Sequence, residues 1–371
     1  LARIRQLSAH EIGHTLGFAH NFAASSNNRA SVMDYPHPYI KITDGALDFS
    51  EAYDTGIGEW DKVAVAYAYS DFPDTTNEQS ALQAILAQAE NEGLRYISDQ
   101  DARAPGGAHA YAHLWDSGSD AAMELDRLLD VRRIAINQFS PANIRTMEPY
   151  SVLEDVFVPL YFLHRYQTEA VAKVVGGMNY SYAVRGDGTT PWTFVPKKEQ
   201  EEALESILKT LTASELAIPQ EVLQWFPPRA MGYSATRESF KGRTGVAFDA
   251  LAAAETAADM TLGLLMHPQR ASRLVQQQGM DNNQLGLGTV IDQVLEGTVF
   301  SKAKGGYASR IQEVINFQVL RHIMELANNT TTHPQVQAIT YQRLKDLKMR
   351  LLKSDASEIG REMVRRIDRF F

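Results

Sequence analysis

Three histidines near the start of the chain have the spacing of metal ligands. His10 and His14 lie four positions apart, and His20 follows them closely. Residues four apart share one face of an α-helix, so the first two imidazoles can reach the same ion. Gly17 would let the backbone turn sharply where a side chain would clash, and that turn can bring His20 back as a third ligand. The spacing therefore predicts a three-histidine metal site.

The types of donor predict zinc and hydrolytic chemistry. The chain has no cysteine, so any zinc site must use other ligands. Three neutral imidazoles leave a fourth position open, which distinguishes a catalytic zinc site from a structural one. Zinc polarises a carbonyl oxygen and lowers the pKa of water, and a neighbouring carboxylate can then accept the water proton. Glu11, next to the first histidine, is the candidate general base.

The segment His10–His20 reads HEIGHTLGFAH and resembles the zinc signature H-E-x-x-H-x-x-G-x-x-H of metzincin metallopeptidases. Metzincins also have a Met-turn after the third histidine, and the segment Ser31–Tyr35, SVMDY, is similar to it. The resemblance implies that Met33 forms the hydrophobic floor of the zinc site. It also implies that Tyr35 ligates zinc or stabilises the oxyanion.

The residues that follow the Met-turn are candidates for substrate contact. In metzincins this stretch forms the outer wall of the pocket that receives the residue after the scissile bond. The resemblance implies that role for Pro36, Pro38 and Tyr39, and the two prolines would stiffen such a wall. The alternative is a proline-rich surface loop that does not touch substrate.

A wider resemblance covers the order of the zinc motif, the Met-turn and a long helical region. That order is similar to a family of large bacterial zinc-dependent metallopeptidases whose helical C-terminal domain has no assigned role. The resemblance implies protein or peptide substrates. It also implies an exported protein, which would be periplasmic, on the cell surface or secreted.

The patterning predicts a mainly α fold with two domains. Residues 1–75 would be the C-terminal half of a metzincin catalytic domain, with a zinc helix over 2–18, a long ordered loop over 21–58 and a helix at about 59–69. Residues 76–371 would form a helical domain, with room for two subdomains and a short β-hairpin that begins near Met178. Further helices are predicted at about 78–92, 120–138, 153–175, 197–211, 246–266, 307–328, 334–353 and 355–370.

The chain begins at the predicted zinc helix, without an initiator methionine or a signal peptide. Metzincins place a twisted sheet before that helix, so we expect this chain to be part of a longer protein whose N-terminal half is its partner. Without the sheet, apolar residues such as Leu7 and Phe18 should be exposed or covered by self-association of the chain. The chain alone should fold through its helical region and show little peptidase activity.

Composition excludes some other classes of protein. The 371 residues carry a formal charge of −9 and no prominent cluster of lysine and arginine, which argues against a nucleic-acid partner. No apolar run reaches the roughly 18 residues that a transmembrane helix needs.

Two alternatives remain open from the sequence. The first is a catalytically silent helical scaffold or binding module that retains a remnant of the zinc site. The second is a gluzincin, in which a glutamate from a later helix replaces His20 as the third ligand. Glu51 and Glu59 are the candidates for that position.

Overall fold

The computed structural model describes residues 1–301, 305–354 and 357–371. Over these residues the protein is mainly helical, as predicted, with two small antiparallel sheets. The helices are α1 (Ala2–Thr15), α2 (Glu59–Tyr69), α3 (Glu78–Asn91), α4 (Asp99–Ala102), α5 (Ala121–Asn137), α6 (Leu153–Tyr161), α7 (Arg165–Val174), α8 (Lys197–Lys209), α9 (Ala213–Leu216), α10 (Gln220–Leu223), α11 (Ala250–Leu265), α12 (Pro268–Met280), α13 (Leu287–Gly297), α14 (Gly306–Ala327), α15 (Pro334–Ser354) and α16 (Glu358–Phe370). The strands are β1 (Lys41–Thr43), β2 (Ala46–Asp48), β3 (Met178–Tyr180) and β4 (Trp192–Phe194).

Helix α1 ends at Thr15, earlier than the predicted residue 18. The chain leaves the helix through Gly17, whose φ is +92°. A Cβ at this glycine would have no atom within 4 Å. Glycine is therefore favoured here by its left-handed backbone, which ends the helix, and not by crowding from neighbouring atoms.

The loop predicted over residues 21–58 contains a β-hairpin that the sequence reading missed. Strands β1 and β2 pair antiparallel through a turn at Asp44–Gly45, where φ is +50° and +77°. Asp-Gly is a common sequence for a two-residue turn of this kind, because both positions need positive φ. The one hairpin that was predicted, near Met178, is present, and its strands β3 and β4 pair antiparallel.

Two parts of the helical prediction were wrong. The predicted helix 153–175 is two helices, α6 and α7, and Pro159 lies in the last part of α6. Proline has no N–H to donate and its ring crowds the preceding turn, which favours the break. Helices α12 and α13 were not predicted, although each buries residues at helical spacing, such as Ala271 and Leu274 in α12 and Val290 and Val294 in α13. Residues 355 and 356, at the start of the last predicted helix, lie outside the described residues.

The largest apolar cluster lies among helices α5 to α16. A second, smaller cluster joins Phe22 to Ile97 and Leu114, with Tyr35 packed against it. A third joins Ile40 to α5. Apolar contacts therefore connect the first 75 residues to the helical region.

The outer face of α1 is apolar and exposed. The exposed fraction is 65% for Ile4, 42% for Leu7 and 58% for Ile12. Phe18 is partly buried and packs edge-on against Tyr69, with 6.1 Å between ring centroids. The exposure expected for Leu7 is thus present. Among the described residues, no helix is long and apolar enough to cross a membrane.

Lys173 connects α7 to the segment that contains α4. Its side chain is fully buried, and its ammonium donates to the carbonyls of Ala102 and, at 3.0 Å, of Ala112. Burial lowers the pKa of Lys173 to about 8. Both carbonyls would lose a hydrogen-bond donor if the amine were removed.

Lys173→Met should therefore lower the free energy of unfolding by about 1–3 kcal/mol, because buried carbonyls would lose their partner. Urea denaturation measures the loss, and hydrogen exchange should be faster around residues 102–112. Lys198→Met is the matched control, since the Lys198 side chain is 87% exposed. Equal stability of the two variants would contradict this role of Lys173.

Candidate metal centre

The three predicted histidines lie together around one point. The Nε2 atom of His14 lies 3.1 Å from Nε2 of His10 and 3.2 Å from Nε2 of His20. Nitrogen ligands at the usual zinc distance and tetrahedral angle are about 3.3 Å apart. Potential ligand atoms of these three residues, one from each, form a group that could hold a metal ion. The nitrogen spacing is therefore that of three ligands on one ion.

The other ring nitrogen of each histidine faces a fixed acceptor. Nδ1 of His10 lies 2.7 Å from the carbonyl oxygen of Val32, and Nδ1 of His14 lies 2.9 Å from that of Phe18. Carbonyl oxygens only accept, so both rings carry their hydrogen on Nδ1 and present an Nε2 lone pair. Burial lowers the pKa of His10, which favours this neutral form.

His20 is held in the same way by a carboxylate. Its Nδ1 lies 2.8 Å from Oδ2 of Asp99, and Nε of Arg103 donates to the other oxygen at 2.6 Å. Burial opposes ionisation of Asp99, but the hydrogen bonds from Arg103 and His20 hold its pKa below the ordinary value. Three lone pairs thus converge without a hydrogen between them, an arrangement that a bound cation stabilises. These residues fit zinc.

Glu11 follows the buried His10 on α1 and is exposed. The two gluzincin candidates lie elsewhere: Glu51 pairs with Lys41, and Glu59 pairs with Lys62. In the described part of the chain, the group that could hold a metal contains His20 and neither of these glutamates.

Met33 packs directly against α1 between its two histidines. It is 3% exposed, and a Cβ built on Gly13 would lie 2.3 Å from its Sδ. Gly13 is therefore the position where the Met-turn approaches the helix. The sequence reading missed this residue, although a glycine inside a helix costs about 1 kcal/mol relative to alanine and so suggests a packing requirement.

Asp61, a buried residue in the first turn of α2, holds the Met-turn through hydrogen bonds. Its carboxylate accepts from the Ser31 hydroxyl at 2.6 Å and from the backbone N–H groups of Val32 and Gly58 at 2.8 and 2.7 Å. Because the Val32 carbonyl accepts from His10, Asp61 also fixes the acceptor of a metal-site histidine. The sequence reading did not identify Asp61 as part of the site.

Tyr35 lies beside the histidines, as the resemblance implied. Its ring centroid is 4.7 Å from that of His20 in an edge-to-face contact, and the ring stacks on Trp115 at 5.5 Å. The backbone N–H of Trp115 donates to the backbone carbonyl of Tyr35 at 2.9 Å. Trp115 has a φ of +59°, a strained conformation for a bulky residue that often marks a functional site. Sequence reasoning did not identify Trp115.

The three predicted wall residues lie in different surroundings. Pro36 borders a cleft of about 300 Å³ that α1 also lines. Tyr39 lies between two guanidinium groups, those of Arg29 at 5.0 Å and Arg127 at 4.2 Å from its ring centroid. Pro38 is half-buried. Pro36 thus borders a cleft beside the zinc helix, and the role of all three residues in substrate contact stays a prediction.

Gly13→Ala should displace Met33 and lower the free energy of unfolding by about 1–3 kcal/mol, as overpacking of a core does. Thermal and urea unfolding measure the loss, and adding Met33→Ala should make the double variant less destabilised than the sum of the two single changes. Gly279→Ala is the control, because this helical glycine has open space around its Cβ. Additive losses at Gly13 and Met33 would mean that the close approach carries no strain.

Comparison with known proteins agrees with this geometry. A family model described as Met-zincin matches residues 1–306 of the chain. No curated protein and no solved structure matches the chain. The matched span holds the three histidines, the Met-turn and most of the helical region. The chain therefore belongs to the Met-zincin family, a family of metzincin-type zinc metallopeptidases.

Proposed function

We propose that this chain carries the metal site of a zinc endopeptidase that hydrolyses peptide bonds within protein substrates. One observation carries the proposal: the Nε2 atoms of His10, His14 and His20 converge at 3.1 and 3.2 Å while each Nδ1 faces an acceptor. Membership of a metallopeptidase family supports the same reaction.

In this proposal, His10, His14 and His20 hold the ion and Glu11 moves the proton. When bound, zinc polarises the scissile carbonyl and acidifies water. The exposed Glu11 carboxylate accepts one proton from the attacking water and delivers it to the leaving amine. The water oxygen becomes part of the new carboxyl group, so the products are one acid and one amine.

Tyr35 is proposed to stabilise the oxyanion through its hydroxyl. A donor that is already in place when charge develops contributes most, because it needs no reorganisation. Stacking on Trp115 and the contact with His20 hold the ring where such a donor is needed. Met33 supports the site by packing against Gly13 of α1.

The exposed apolar face of α1 determines which form of the protein is suited to peptidase assays. Ile4, Leu7 and Ile12 form an exposed apolar patch, and such patches often mark surfaces that bind another part of a protein. We propose that residues encoded upstream of Leu1 cover this face and complete the substrate cleft, and that the protein is exported. Peptidase assays therefore require the full-length protein, whereas metal binding can be measured on this chain.

The chain should bind about one zinc ion, because its three histidines supply three of the four ligands of a tetrahedral site. Titration of metal-free protein against a chromophoric chelator measures the affinity. His10→Ala, His14→Ala and His20→Ala should each weaken binding by more than the roughly 10–100-fold typical of a lost outer partner. His333→Ala, at an exposed histidine outside the group, should not. Full zinc affinity in all three ligand variants would refute the site.

Glu11→Gln should lower casein cleavage by the full-length protein about 10²–10⁴-fold and leave its zinc content unchanged, because an amide cannot accept the water proton. Glu78→Gln removes the same charge from an exposed helix position away from the site and should leave cleavage unchanged. Cleavage that survives in Glu11→Gln would remove the residue from the mechanism. A scaffold with a remnant site would instead bind zinc and cleave nothing in any variant.

A further inference from the structure

His20 differs from the other two histidines in the group that holds its Nδ1. The rings of His10 and His14 face backbone carbonyls of Val32 and Phe18, which lie near them in the chain. His20 faces the Asp99 carboxylate, which lies 79 positions later and belongs to α4 in the helical region. A carboxylate carries a full negative charge, so its effect on the ring is stronger than that of a carbonyl.

Asp99 is itself held in one orientation. Arg103, four positions later, donates from Nε to Oδ1 at 2.6 Å, so each carboxylate oxygen has its own partner. The Arg103 guanidinium also lies 5.3 Å from the ring centroid of Phe22 and 5.5 Å from that of Tyr35. The carboxylate therefore has little freedom to leave the imidazole.

The segment that carries Asp99 is fixed against the loop that carries His20. Asn21, which follows His20, is fully buried and accepts from the backbone N–H of Ile97 at 3.2 Å. The next residue, Phe22, donates to the carbonyl of Ile97 at 2.8 Å. The distance between histidine and carboxylate is thus fixed by the hydrogen bonds of Asn21 and Phe22 to Ile97, which lies two positions before Asp99.

We propose that Asp99 is a positioning residue of the metal site, which keeps His20 protonated at Nδ1 and its Nε2 directed at the ion. The helical region then completes the site, because the carboxylate comes from α4. A carboxylate partner fixes the tautomer of a ligating histidine and raises its basicity, and loss of such a partner costs about 10–100-fold in metal affinity. The inference rests on the proposed function, since it takes His20 as a ligand.

The test is zinc affinity of the intact chain, measured by competition with a chromophoric chelator. Asp99→Ala should weaken binding about 10–100-fold, and Asp99→Asn, which keeps an oxygen but loses the charge, should fall between that variant and the unaltered chain. Asp101→Asn is the matched control. Asp101 lies on the same helix but accepts from the hydroxyls of Tyr180 and Tyr182, so its loss loosens the segment without touching His20.

A double-variant cycle separates positioning from a merely structural role. In a His20→Ala background, Asp99→Ala should weaken zinc binding no further, because Asp99 acts through the ring that has been removed. The imidazole Nδ1 proton of His20 should also shift upfield in the NMR spectrum of zinc-loaded Asp99→Asn, a readout that needs no activity.

The outcomes distinguish the two proposals. Unchanged zinc affinity in Asp99→Ala would overturn the role of Asp99, and so would an equal loss of zinc affinity in Asp101→Asn. If His20→Ala still loses zinc affinity in either case, the zinc site itself is supported. Full affinity in His20→Ala, or no zinc binding by the unaltered chain, would overturn both. Circular dichroism of each variant shows whether it is folded, and Asp99→Asn retains the shape of the side chain if Asp99→Ala does not fold.

Discussion

Three imidazole rings present lone pairs to one another at 3.1 and 3.2 Å, and the rest of the site depends on that constraint. Such an arrangement is unfavourable unless a cation lies between the rings or the rings are held from outside. Each ring is held through its Nδ1 by one acceptor: a backbone carbonyl for His10 and for His14, and a carboxylate for His20. Helix α1 fixes only the relative position of His10 and His14, so the remaining order comes from the Met-turn and the helical region.

The Met-turn connects α2 to the histidines, because Asp61 of α2 binds the turn and the Val32 carbonyl of the turn accepts from His10. Asp61 accepts three hydrogen bonds from the turn and from the start of its own helix, at 2.6 to 2.8 Å. Charge-assisted hydrogen bonds of this kind are about twice as strong as neutral ones, so the loop has one preferred position. Gly13 then lets Met33 approach α1 more closely than any other residue would permit. A loop of mostly irregular backbone thereby positions a metal site.

The sequence predicts the metal ligands better than it predicts the residues that position those ligands. His10, His14 and His20 are close in the chain, so helical periodicity and one glycine turn suffice to bring them together. Met33 and Tyr35 follow from resemblance. Asp99 could not be predicted, because its contact spans 79 positions and one aspartate among many carries no signal of its own. Most of the long helices were predicted from a recurring apolar stripe, but α12 and α13 were missed although they also bury residues at helical spacing.

The Met-turn and the helical region also share a pair of buried acids. Burial, and then the charge of Asp116, raise the pKa of Asp34 well above its ordinary value, while burial raises the pKa of Asp116 to about 7. Two buried carboxylates repel each other, so retention of a proton by the pair is favoured. Asp34 accepts from the Tyr35 N–H at 2.6 Å, and Asp116 follows the strained Trp115 that stacks on Tyr35. Trp115 of the helical region therefore packs on Tyr35 of the Met-turn, and the site draws its residues from both sides of residue 75.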